Sequence, residues 1–300
     1  MELLPKLPPK CSTPCLDLVQ NKLFDFIDKL MTWDNLQGRM VLQDGAKERV
    51  ASLFTWSEMV IVDVQTRAFF DDILYEECPD LLTHFQIYEN EAWKIPMNLP
   101  DFATKALRSS KMNIEKGLRQ YMNTPSHKKP NDSWIIKTLC EDMNRLGLEQ
   151  DQKVYVLFSF YRVINATAYK LVFWAISYLP FRPDLSEEIK REIAPAFRNG
   201  SSSTPDIDFL LNSCPLLVST CEEVLRLTIW SIGTRTAQAE TMIGGRKLLQ
   251  GKKLLVPYRA MHSDTAVFGQ DALDFNPRRF MMKKGEEGGS DVHGDDADEV

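Results

Sequence analysis

The stretch from Val154 to Leu179 is the most apolar in the chain, and it limits the folds open to it. It is long enough to cross a bilayer as a helix. Arg162 and Lys170 stand inside it, and each would cost about 2.5–3.5 kcal/mol at a bilayer centre. The better reading is one long core helix with a polar face, ended by Pro180 and Pro183. A helix of that kind needs other elements around it. The 300 residues are 44% hydrophobic and 26% charged, which supplies a large core in one big domain or two small ones.

The flanking sequence is mostly helical in its spacing. Val19, Leu23, Phe26, Ile27 and Leu30 fall on one helical face. Gln43–Lys47 is a polar break with Gly45, and a helical pattern then runs from about Arg49 to Leu74. Asp80 is placed to cap a helix toward Trp93, and Asp101 one that reaches about Met122. Ser133–Leu146 reads as a helix closed by Gly147. Asp184 can cap an amphipathic Leu185–Phe197 helix, Asn199–Pro205 reads as a linker, and Pro215 starts another helix. The pattern then changes. Thr241–Leu249 suggests short strands around Gly244-Gly245, and Leu254–Tyr258 a further strand. The expected class is mainly α with a small antiparallel β part near the C-terminus. Residues 1–15 read as irregular, and 285–300 as a disordered acidic tail.

Composition removes several functions. A net charge of −6 and a pI of about 5.4 give no electrostatic basis for nucleic-acid binding. The six cysteines are too sparse for a disulfide scaffold, and no C-x-x-C or His cluster suggests a metal site. A reducing compartment is the default. The first residues lack the apolar core of a signal peptide or anchor. Gly244-Gly245 is not a phosphate loop, no G-x-S-x-G elbow occurs, and the tail lacks the spacing of a calcium loop. Lys128-Lys129 reads as a solvated loop.

On the helix begun by Pro215, Glu223 and Arg226 are one turn apart and share a face. Downstream, Phe275-Asn276-Pro277-Arg278-Arg279-Phe280 offers Arg279 just after a proline turn. Glu223, Arg226 and Arg279 are expected to form one buried charge network. A Glu-x-x-Arg helix followed by a Pro-x-Arg-Phe loop resembles the cytochrome P-450 family of haem-thiolate monooxygenases. The resemblance runs from about Asp17 to Phe280 and implies an incomplete cytochrome P-450 fold over 1–284. In family terms, Val154–Leu179 looks like the oxygen-binding helix. Its Ala-Gly-x-acid-Thr signature is matched by Val163-Ile164-Asn165-Ala166-Thr167, with Thr167 kept and Ala166 in place of the acid. Thr167 is then the candidate catalytic hydroxyl, which orders protons toward iron-bound dioxygen. Such a Thr can equally bond back to a helix carbonyl, and both readings stay open. Ala166 would line the cofactor. Arg235, in Thr234-Arg235-Thr236-Ala237, resembles the family's haem-propionate Arg. His262 reads as structural.

The Arg-Thr-Ala segment, with Pro79-Asp80-Leu81-Leu82 and Trp93, is similar to the branch that holds sterol 7-alpha-hydroxylases and prostacyclin synthase, and filamentous fungi have many such sequences. The resemblance implies haem, dioxygen, an apolar sterol- or lipid-like substrate and a reductase electron donor. It places full-length members at the endoplasmic reticulum membrane. With no anchor in this sequence, the chain as it stands is expected in the cytoplasm. Two family parts are not matched: the N-terminal region and the Phe-x-x-Gly-x-x-x-Cys-x-Gly loop with the iron-ligating cysteine. No cysteine follows Cys221, so no metal ligand is assigned. The alternative is a non-catalytic, truncated remnant without haem ligation.

Overall fold

The computed structural model describes residues 14–281, apart from 46–47, 98, 130–132 and 198–204. The expectations for the N-terminal segment, the acidic tail and most of the 199–205 linker therefore lie outside the described residues. The chain falls into two compact units, 1–183 with 197–206, and 184–196 with 207–300.

The first unit is helical. It comprises α1 (Pro14–Leu30), a ribbon of β1 (Val41–Asp44) and β2 (Arg49–Ala51), α2 (Leu53–Phe70), α3 (Ile73–Glu77), α4 (Leu81–Glu91), α5 (Lys105–Asn123), α6 (Trp134–Arg145), α7 (Gln150–Asn165) and α8 (Ala168–Tyr178). Helix α2 is central, with Val60, Val62, Val64, Thr66, Ala68 and Phe70 buried around its circumference. An all-round apolar helix is stable only when neighbours cover every side, and α1, α3, α4, α6, α7 and α8 all pack on it. Its N-terminus is closed by Ser52, whose hydroxyl accepts from the Thr55 amide at 3.2 Å. Ser133 caps α6 in the same way at the Ile136 amide, and Glu149 with Gln152 forms a capping box on α7. Gly147, at φ +67°, ends the α6 segment as its sequence position suggests.

The core rests on aromatic edges meeting faces. Phe70 packs on Tyr121 and Tyr161 at 5.5 and 5.8 Å, and Phe85 on Tyr161 at 5.5 Å. Tyr161 is fully buried, and its hydroxyl shares a hydrogen bond with Thr66 Oγ1 at 3.2 Å. Burial holds that phenol well above its ordinary pKa.

The second unit contains α9 (Pro183–Ile193), α10 (Ile207–Asn212), α11 (Pro215–Thr228), β3 (Ile232–Thr236), β4 (Thr241–Ile243), β5 (Arg246–Leu248), β6 (Lys253–Pro257), α12 (Tyr258–His262) and α13 (Thr265–Phe268). β3 pairs antiparallel with β6, and β4 with β5 across Gly244-Gly245, both at positive φ. That pair of left-handed residues suits a tight hairpin turn.

Four expectations are corrected. The single helix over Val154–Leu179 is two helices, interrupted at Ala166-Thr167. The Asn165 side chain turns back to the Tyr161 carbonyl at 3.0 Å, and the Thr167 carbonyl accepts from both Lys170 and Leu171. Local side-chain and bifurcated bonds of this kind displace the regular ladder. The pattern from Arg49 to Leu74 resolves into β2, α2 and α3, because strands this short leave no periodic signal. The helix that follows Asp80, whose side chain makes no cap bond, stops at Glu91, and the turn onward to Trp93 is 3₁₀. Lys129 is buried at 8% exposure, with its ammonium over the Tyr121 ring and donating to the Tyr121 carbonyl at 2.9 Å. Among the described residues, no helix is long and apolar enough to cross a membrane.

Helix α5 lies so close to Cys78 that a Cβ added at Gly117 would sit 2.5 Å from the Cys78 Cβ. Gly117→Ala is expected to destabilise the first unit by about 1–3 kcal/mol through overpacking, read as a lower urea midpoint. Glu58 is 6% exposed and accepts from Gln86 Nε2 at 2.8 Å, while its other oxygen has no partner. Burial raises its pKa above 4.5, against the pull of Gln86, Arg39 and Lys170. A raised folded-state pKa contributes stability below the unfolded value that is lost as pH rises through the folded one. Glu58→Gln should therefore stabilise the protein near neutrality, with the gain vanishing below about pH 4, in unfolding curves measured across pH.

Candidate functional site

The site grows from the start of α11. Pro215 takes the first helical position, where a missing N–H costs nothing. The Glu192 carboxylate, one residue before the end of α9, accepts from the Leu216 and Leu217 amides at 2.9 and 2.8 Å. A negative charge there also meets the positive end of the helix dipole. The buried face of α11 then carries Leu216, Ser219, Thr220, Glu223, Val224 and Arg226. Helical periodicity thus buries a carboxylate and a guanidinium on the same side as Leu216 and Val224.

Glu223 is fully buried and Arg226 is 4% exposed. Arg226 meets the carboxylate with two parallel bonds, Nε to Oε2 at 2.7 Å and Nη2 to Oε1 at 2.8 Å. Its remaining donor, Nη1, reaches the carbonyls of His262 and Ala272 at 2.5 and 2.6 Å. Arg279 approaches the same carboxylate, with Nε 3.1 and 3.2 Å from its two oxygens. The Asn276 amide donates to Oε1 at 3.0 Å. The outer edge of Arg279 is held by Asp271, at 3.1 Å from Nη1 to Oδ1 and 3.0 Å from Nη2 to Oδ2, and by the Phe268 carbonyl at 2.6 Å.

Two carboxylates and two guanidiniums therefore share one cluster. The Arg279 and Asn276 bonds hold the Asp271 carboxyl below its usual range. Burial alone would lower the pKa of Arg279, but Asp271 and Glu223 raise it above the ordinary value. The turn that delivers Arg279 is itself fixed, since Asn276 Oδ1 accepts from the Arg278 amide at 3.1 Å and its Nδ2 donates to Asp271 at 3.1 Å. The Phe280 amide donates to Ser219 on α11 at 3.0 Å. Together these bonds fasten residues 262–280 onto α11.

The three residues expected from sequence to share a network thus meet at one carboxylate. Asp271, Asn276 and Glu192 escaped the sequence reading, because no fixed spacing ties them to Glu223. Arg235 stands exposed on β3, and its guanidinium donates to the Thr234 carbonyl at 2.9 Å. The His262 ring stacks on Tyr258 at 6.1 Å, and its carbonyl serves Arg226. Ala166 and Thr167 lie in the first unit, at the break between α7 and α8, where Thr167 is exposed and its side chain makes no capping bond. Burial raises the thiol pKa of Cys78, Cys214 and Cys221. The Cys214 thiol lies 3.6 Å from the Glu192 carbonyl.

The sequence profile described as Cytochrome P450 matches residues 79–293. A cytochrome P450 monooxygenase of Gibberella zeae is 25% identical over 61% of this chain and 37% of its own length. One from Hypoxylon pulicicidum is 23% identical over 78% of this chain and 47% of its own. The chain thus spans less than half the length of these curated relatives. Among solved structures, a zebrafish cytochrome P450 with progesterone superposes with a TM-score of 0.67 at 17% identity, over 90% of this chain and 63% of that one. A retinoic-acid-bound cyanobacterial cytochrome P450 gives 0.63 at 16% identity, over 90% and 58%. At these identities the structural likeness speaks for the fold.

Glu223→Gln would leave Arg226 buried without its counter-charge, at an expected cost of about 3–5 kcal/mol in urea unfolding. Arg279→Lys keeps a charge but loses the fork that spans Glu223 and Asp271. Its expected cost is smaller, about 1–3 kcal/mol.

Proposed function

The chain belongs to the cytochrome P450 family, and on that premise we propose that it is part of a haem-dependent monooxygenase. That enzyme inserts one atom of dioxygen into an apolar, sterol- or lipid-like small molecule, with electrons from a reductase. The observation that carries this reading is the Glu223–Arg226–Arg279 cluster, which fastens the segment ending at Phe280 to α11. In this proposal Thr167 is the hydroxyl that directs protons, Ala166 lines the cofactor, and Arg235 meets a haem propionate. Arg235 suits that role because its guanidinium, exposed on β3, bonds only a neighbouring carbonyl and no carboxylate among the described residues.

Haem is the family's cofactor, and a thiolate bound to iron is what its chemistry requires. The residues of this chain do not supply that ligand. Its cysteines are at 11, 15, 78, 140, 214 and 221, and none follows Phe280. Those at 78, 214 and 221 are held as thiols by burial. No step through iron is therefore assigned to these residues. The same observation favours a second reading, a chain that keeps the fold without haem ligation.

Two measurements separate the readings. The reduced, haem-reconstituted 300-residue chain is expected to show no thiolate-type Soret band in its carbon monoxide difference spectrum. Transcript sequencing is expected to find an in-frame Phe-x-x-Gly-x-x-x-Cys-x-Gly beyond Phe280, and the longer product is expected to show the band. A transcript without that loop overturns the monooxygenase reading.

A further inference from the structure

The break at Ala166-Thr167 is bridged by a carboxylate from another helix. Glu89 lies near the end of α4, and its side chain is 6% exposed. Its Oε1 is 3.3 Å from Arg162 Nε, on α7, before the break. Its Oε2 is 3.4 Å from Lys170 Nζ, on α8, after the break. Each cation also lies against an aromatic ring, Arg162 at 5.8 Å from Tyr88 and Lys170 at 5.2 Å from Tyr169.

These eight-residue neighbours would stand about 12 Å apart along an unbroken helix. Here one carboxylate reaches both, with one oxygen for each. Neither bond is short enough to be strong alone, since charge-assisted N–H···O bonds run at about 2.7–2.9 Å. The cations are also nearly half exposed, at 46% and 45%, so solvent screens them. The carboxylate is not exposed. A shift of α8 relative to α7 large enough to part either contact leaves half of a buried carboxylate unpaired.

At the break the Ala166 and Leu171 amides keep their bonds to the Arg162 and Thr167 carbonyls, but the fully buried Asn165 satisfies only its Nδ2, leaving Oδ1 without a partner. The other charged groups acting on this cluster are Glu58 on α2 and Arg39, which reaches Gln86 on α4 at 2.7 Å. Neither Glu58 nor Arg39 makes a direct bond across the break.

We propose that Glu89 is a positioning residue: from α4 it holds α7 and α8 at a fixed offset and so sets where Thr167 presents its hydroxyl. The role of Thr167 rests on the monooxygenase reading above, whereas the bridge itself does not. A buried-core Glu would be expected to stabilise the whole unit evenly. A clamp stabilises the break in particular.

Residue-resolved amide hydrogen exchange on the 300-residue chain tells the two apart. Glu89→Gln is expected to speed exchange of the Ala168–Leu171 amides about five- to tenfold. Amides at Leu157 and Phe158 in α7, and at Ile114 and Leu118 in α5, should stay within about twofold. The charge-swapped triple variant Glu89→Lys, Arg162→Glu, Lys170→Glu should bring the break back toward native protection. Should Glu89→Gln fail to fold, the double variant Arg162→Gln, Lys170→Gln removes both arms from the exposed side and carries the same expectation. A uniform rise across all these amides, no rise at 168–171, or a folded triple variant without recovery overturns the proposal. The measurement needs no haem, so a clamp confirmed in a chain whose longer product shows no thiolate band would stand while the monooxygenase reading fell.

Discussion

One buried carboxylate organises the second unit. Glu223 has no access to water, so its charge is tolerable only if every lone pair is used. Arg226 takes two, and Arg279 and the Asn276 amide take the remainder. The two guanidiniums in turn spend their outer N–H groups on the carbonyls of Phe268, Asp271, Ala272 and His262 and on Asp271's carboxylate. Lysine cannot replace either, because a point charge lacks the planar fork. A cluster of this kind adds little net stability over a well-packed apolar one. It specifies geometry: an irregular segment from 262 to 280, with few apolar residues of its own buried, is seated by hydrogen bonds in one arrangement.

The first unit is held together differently. Its centre is a contiguous apolar and aromatic cluster around α2, within which the buried Thr66 hydroxyl bonds both Tyr161 and the Val62 carbonyl. Charge enters at Lys129, against Tyr121, and at an edge where Glu58, Glu89, Arg39, Arg162 and Lys170 gather with Gln86 beside the interruption of α7 and α8. The most apolar segment of the chain is thus also where its helix is broken. Arg162 and Lys170, which argue against a bilayer on grounds of solvation, are the same side chains that tie down the break.

Much of this was legible in the sequence. The helix over Ser133–Leu146, its stop at Gly147, the proline start at 215 and the hairpin at Gly244-Gly245 are local events, decided by backbone conformations and bonds that neighbours within a few residues satisfy. Glu223 and Arg226 could be paired from spacing alone, because one turn of helix places them together. Arg279 needed a resemblance to bring it in, since nothing in the spacing of 56 residues makes it a partner.

The rest was settled by packing across the chain. Asp271 and Asn276 read as ordinary loop residues until the turn folds back on Arg279. Lys129 reads as solvated until Tyr121 supplies a ring and a carbonyl. The interruption at Ala166-Thr167 is invisible to periodicity, which sees unbroken apolar spacing through it. Glu89 looks like any surface acid on an amphipathic helix. By itself, the sequence determined which faces are apolar, and that a carboxylate and a guanidinium share one face of α11. Only the tertiary structure decided which distant charges answer them, because the cost of an unpaired buried charge is set by partners that the chain brings together from far apart.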